Sequence, residues 1–249
     1  MRPAQRNNKQ LLELLIQAGA TANITNHVGV TPLHYANESD DPEIIQILLD
    51  AGVEIDKTDP DGHTALSIAV LKNNFEHVKL LYENGANISH KPRAGESILH
   101  LAALMGHFGL VLYLLQKGID VNTTNDKGQT PMHTVVRLCE NNISLTITML
   151  VRNGANINQR DNENKTPLDY AFQDSNMDTI KALLKNGAIV SDNRMKQSIM
   201  QIAKNLGMDD VLTLLEANNT PLQSLSVFSA SPQSEGPNPT ESEEDKPSP

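Results

Sequence analysis

Residues 59–124 read DPDGHTALSIAVLKNNFEHVKLLYENGANISHK and then PRAGESILHLAALMGHFGLVLYLLQKGIDVNTT, two blocks of equal length set end to end. Gly62, Thr64, Leu66, Ala69, Leu81 and Gly85 of the first return at Gly95, Ser97, Leu99, Ala102, Leu114 and Gly118 of the second, a period of 33 residues. A period of this size marks a stacked array, in which each unit buries its apolar face only against its neighbours. The repeat therefore decides the architecture before any single residue is considered.

Working outward, Asn26 to Thr58 forms an earlier unit, with Gly29, the box Thr31-Pro32-Leu33-His34, and Gly52 in phase. Asn125 to Arg160 keeps Gly128 and Thr130-Pro131-Met132-His133 but needs three extra residues to reach Gly154, and they fall within RLCENNISL, residues 137–145. Asp161 to Asn193 restores the period with Thr166-Pro167-Leu168-Asp169 and Gly187. Ahead of them, KQLLELLIQAGA at 9–20 supplies only the second half of a unit, read either as a frayed end cap or as the remainder of a truncated one. Without its partner helix, Leu12, Leu15 and Ile16 are expected to be incompletely covered. The domain reading is thus 1–25 as an incomplete unit, 26–193 as five repeats, 194–219 as a degenerate cap and 220–249 as a disordered tail. That tail holds six of the 13 prolines, many serines and the acidic cluster Glu241, Glu243, Glu244 and Asp245. It cannot bury enough apolar surface to offset its ordering entropy. Leu222, Leu225, Val227 and Phe228 make one sparse apolar island in it.

Composition narrows the function. Aromatic content is 3% with no Trp, so the core is built from Leu, Ile, Val and Ala in thin layers. A formal net charge of -10 offers no general attraction to nucleic acid or anionic lipid. Cys139 is the only cysteine, which rules out an intrachain disulfide or a thiolate metal cluster; it reads as a buried small apolar residue in a reducing compartment. No secretory signal or membrane span is visible.

Within each unit the residue choices have local causes. Thr31, Ser97, Thr130 and Thr166 precede apolar-periodic runs, where a hydroxyl can accept from the free amides of a helix start; losing such a cap costs about 1 kcal/mol. Pro32, Pro131 and Pro167 stand at the first helical position, where a missing N–H does no harm. Each unit thus reads as turn, short helix, short helix and loop. This grammar closely resembles the ankyrin repeat, whose Thr-Pro-Leu-His box stands intact at 31–34 and modified in the other units, with its Gly-Ala-Asn-Ile ending at Gly85 and Gly154. The resemblance covers roughly residues 9–219. It implies an all-α solenoid of antiparallel helix pairs with β-turn fingers at right angles, no catalytic apparatus and no cofactor. The departures are Ser67 and Asp169 in place of His, the insertion, and the two irregular ends.

Eight histidines invite a metal or general-base reading. His34, His100 and His133 share one repeat position, and the resemblance implies that their imidazoles tie units together by bonding the Thr hydroxyl and nearby backbone. His27 and His63 fall in the fingers and are expected to face solvent. No phosphate-cradling loop, nucleophile elbow or HExxH spacing is present, so the chain reads as no enzyme.

Surface recognition remains. The resemblance places a partner against the finger residues and the exposed ends of the first helices. On this sequence that gives His63, Arg93, Glu96 and Lys127 in the fingers, and Leu71, Lys72, Leu104, Met105 and Arg137 on the first helices. Leu71, Leu104 and Met105 break the expected polarity, forming an apolar island rimmed by Lys72, Lys91, Arg93 and Arg137. The expectation is a cytoplasmic, monomeric protein-binding module without nucleic-acid, membrane, metal or cofactor partners. An alternative makes the array a scaffold or a bacterial effector acting in host cytoplasm, with the acidic tail as its export or regulatory signal.

Overall fold

The structure, a computed structural model, describes residues 9–138 and 142–218, apart from the side chains of Arg93 and Leu138. Cys139 and the segment 220–249, with the readings attached to them, lie outside the described residues. Among the described residues there are thirteen α-helices and no strand. The first is α1 (Lys9–Gln17); α2 (Pro32–Ala36) and α3 (Pro42–Asp50) pair next, then α4 (Ala65–Leu71) with α5 (Phe75–Glu83). They are followed by α6 (Ile98–Leu104) with α7 (Phe108–Gln116) and α8 (Pro131–Leu138) with α9 (Ile143–Arg152). The last pairs are α10 (Pro167–Gln173) with α11 (Met177–Lys185), and α12 (Asn193–Leu206) with α13 (Asp209–Ala217). Helices α2 to α10 of even number pack in sequence as an inner row, and the odd-numbered helices line up outside them.

Local chemistry sets the helix starts. The hydroxyls of Thr31, Thr64, Ser97 and Thr166 each accept from the amide three residues on, and Pro stands in the first turn of α2 and α10. The outer helices α5 and α11 are capped by Asn74 and Asn176. In the unit with three extra residues, α8 and α9 reach eight and ten residues where α6 and α7 have seven and nine. The insertion therefore partly lengthens the helices.

One apolar core runs the length of the stack, from Leu12 to Leu215, with Ile44, Leu81, Leu110, Leu114 and Ile147 almost fully enclosed. At the N-terminal end the expected poor cover holds for Leu15, 41% exposed, and half-buried Ile16, but not for Leu12, which turns inward against the core.

The fingers are Asx-based. The side-chain oxygens of Asn26, Asp59, Asn125 and Asp161 each accept from the amides two and four residues later, closing a tight turn. The third unit carries Pro92 at this position, with no side-chain acceptor, and its finger becomes a 3₁₀ turn at Arg93–Gly95 with Ala94 at φ 67°. Successive fingers are bonded: the Asp126 amide donates to the Ala94 carbonyl (3.1 Å) and the Asn162 amide to the Lys127 carbonyl (3.0 Å). Gly95 and Gly128 are required there twice over. Both have positive φ, and a Cβ on either would collide with Asp126 or Asn162 of the next finger. Pro60, at the corresponding place in the second finger, has no N–H to donate.

Candidate protein-binding face

The finger and inner-helix face is held together by histidine ties. Thr31 donates its amide to His34 Nδ1 (3.2 Å), and His34 Nε2–H donates to the His63 carbonyl of the next finger (3.0 Å). Nδ1 must accept and Nε2 must donate, so the ring is neutral and in one tautomer. His100 and His133 repeat the arrangement, reaching the carbonyls of Gln129 (2.9 Å) and Lys165 (3.1 Å). Burial pushes all three imidazoles below their usual range, His100 to about 4. These are structural ties, as the sequence implied. Where the box departs, the tie is lost: Ser67 bonds back to the Thr64 carbonyl (2.9 Å), and Asp169 accepts from Thr166 within its own unit (2.7 and 2.8 Å).

The structure divides the expected site residues between two ends of the inner helices. His63, Glu96 and Lys127 lie at the finger end; Leu71, Lys72, Leu104 and Met105 lie at the helix–helix turn end, and seven residues of helix separate the two groups by roughly 10 Å. Met105 is 42% exposed and Leu104 half-buried, whereas half-buried Leu71 packs against the core and its carbonyl accepts from His107 Nε2–H (3.3 Å). An open groove of ≈ 410 Å³ at this end is lined by Met105, Phe108, Asn73 and Asn142. His63 does not face solvent freely: it is half-buried, its carbonyl takes the His34 bond, and its ring stands 3.4 Å from the Ser67 hydroxyl. The cationic rim is largely engaged. Lys72 pairs with Glu38 of the preceding unit (2.6 Å), Lys91 donates to the Thr124 carbonyl (2.7 Å), and the Arg137 guanidinium lies 4.7 Å from the centre of the Tyr170 ring. Lys127 is exposed, Glu96 half-buried, and the Arg93 side chain lies outside the described set.

Sequence reasoning missed the cluster around Tyr170. Its hydroxyl donates to Asp161 Oδ2 (2.6 Å), Gln129 Nε2 donates to both (3.1 and 3.2 Å), and Lys165 Nζ sits 5.2 Å from the ring centre. Burial would raise the Asp161 carboxyl, but hydrogen bonds from Tyr170, the Lys165 and Glu163 amides and Gln129 outweigh it and hold it low. A signal was present: Tyr35 and Tyr170 both follow the box, and both bond the Asx nine residues earlier that opens the same unit. Among the described residues no group of His, Cys, Asp or Glu could hold a metal, and no helix is long and apolar enough to cross a membrane.

Stacked helix pairs, fingers projecting from one edge and histidine ties from unit to unit define a helical repeat protein. The sequence matches a family described as ankyrin repeats (3 copies) over residues 1–92 and 40–125, and one described as ankyrin repeats (many copies) over 114–171. The chain belongs to the ankyrin-repeat family, whose members mediate protein–protein interaction. Among solved structures it is similar in fold to the ankyrin repeat domain of Bcl-3, a unique member of the IkappaB protein family. That similarity has 24% identity and a TM-score of 0.64, covering 75% of this chain and 84% of that one. No curated protein sequence matches.

Proposed function

We propose that the chain is a non-enzymatic module that holds a partner protein on its concave finger and inner-helix face. The observation that carries this reading is the bonding of the third, fourth and fifth fingers to one another through Ala94, Asp126, Lys127 and Asn162. Fingers fixed in register before binding lose little conformational entropy on association, which is what a recognition surface needs. Met105 and Leu104 supply apolar contact, Lys127 and Arg137 supply positive charge, and Glu96 and His63 supply polar contacts at the finger end. The fitting partner is a protein surface with apolar anchors and acidic groups. Leu71 and Lys72 extend the same face toward the second unit, and Arg93 toward the fingers. In this reading residues 26–193 bind, 194–219 close the stack, and the protein acts as a monomer in the cytoplasm.

Affinity capture with the full chain tests the assignment beside a Leu104→Glu, Met105→Lys double variant. Loss of the captured partner with the helical fold intact is the expected result; unchanged capture overturns the site. Removing residues 220–249 separates this reading from one in which the tail is the active part, because concave-face binding survives that deletion.

A further inference from the structure

The outer row of helices should be polar, yet its middle is not. Phe108 and Leu112 on α7 are 45% and 38% exposed, and Leu145 on α9 is 46% exposed. Helix α7, FGLVLYLLQ, carries no charged residue, whereas the positions matching Leu112 in α3, α5 and α11 hold Gln46, Lys79 and Lys181. Exposed apolar side chains of this size on adjacent helices mark a surface that something covers.

Where the described chain ends says what that is. Asn218 Nδ2 donates to the carbonyls of Leu184 (2.7 Å) and Ala188 (3.1 Å), which pins the exit of α13 to the C-terminal end of α11 on this same outer row. From α11 to α7 is two helix spacings, about 20 Å. Leu225 and Phe228 stand seven and ten residues beyond Asn218, about 23–33 Å of extended chain, so the apolar island of the tail spans that distance. The stretch from 222 to 231 is also the longest in the tail free of Pro, and from 219 to 234 there is no charged residue.

We propose that residues 222–228 of the chain's own C-terminal segment strap across the outer row and cover Phe108, Leu112 and Leu145. Because the segment is tethered beside its site, it holds an effective concentration near the millimolar range and outcompetes a second copy at ordinary protein concentrations.

Hydrogen exchange on the full chain tests the strap, comparing the wild type with a Leu225→Glu, Phe228→Glu double variant and, reciprocally, with Leu112→Glu. Amides of residues 222–228 in the wild type are expected to exchange at least about tenfold more slowly than in either variant. Both variants also bind an apolar fluorescent dye more strongly, with unchanged helical content. Equal exchange in all three proteins overturns the proposal. So does protection that rises with protein concentration alongside a dimer in sedimentation, because a second copy would then be the occupant.

Discussion

At His100 the histidine tie carries a measurable cost at low pH. Burial disfavours the charge and pushes the folded imidazole down to about 4, against 6.5 for the free side chain. Above the free value neither state holds the proton and the full stability is present. As pH falls below it the unfolded chain takes up a proton that the folded chain refuses, and the loss is complete once pH passes below the folded value. The difference amounts to about 3 kcal/mol for this residue. Urea unfolding at successive pH values should show the decline over that window, and a His100→Gln variant should show a shallower one; equal slopes would contradict the tie. His77 is the opposite kind of histidine. It is fully buried on α5, neither ring nitrogen has a hydrogen-bond partner among the described residues, and the matching positions in α3 and α7 hold Ile44 and Leu110. His77→Leu should therefore raise stability by roughly 1 kcal/mol or more, read as a higher denaturant midpoint. The shared position of His34, His100 and His133 was legible because they recur in phase, and the ankyrin resemblance implied their role. His77 occurs once at its position, and no period announces what surrounds it.

Among elements, glycines at two repeat positions carry different duties, Gly118 just past an outer helix and Gly128 in a finger. Gly118 and Gly128 both have positive φ, but a Cβ at Gly118 meets open space and one at Gly128 meets Asn162. Gly118→Ala should cost about 1–2 kcal/mol, the left-handed backbone alone. Gly128→Ala should cost more, since the fourth and fifth fingers must also part; thermal unfolding of the two variants side by side checks the order. Turn, cap and helix were readable from the sequence, because capping and positive φ depend on neighbours a few residues away. The 3₁₀ finger at Arg93–Gly95 was not foreseen, although its cause, Pro92 where the other fingers have an Asx, stands in the sequence. The Tyr170 cluster escaped notice for a different reason. Gln129 reaches it from the preceding unit and Arg137 from the preceding inner helix, contacts that become neighbours only on stacking.

For the whole molecule, a stack in which each unit touches only its neighbours is unevenly buried along its length. Helix α1 buries only Leu12, leaving Leu14 at 61% and Leu15 at 41% exposure, whereas α7 at the centre encloses Leu110, Val111 and Leu114. Backbone amides of α1 should exchange fastest among the helices and those of α7 among the slowest. The period disclosed this architecture but not the placement of the binding residues. It gives each residue a phase within its unit. Whether Leu71 packs inward, whether Lys72 is taken by Glu38, and how far the Met105 end lies from the fingers depend on how units lean on one another.

The proposed function requires that a partner be gripped along the concave face at the middle of the stack. The most direct measurement is a calorimetric titration of the captured partner into the full chain and into the Leu104→Glu, Met105→Lys variant. The expected Kd is weakened about thirtyfold or more, the loss of roughly 2 kcal/mol from a central apolar anchor, with the helical signal and unfolding midpoint unchanged. An unaltered Kd in the folded variant would contradict it.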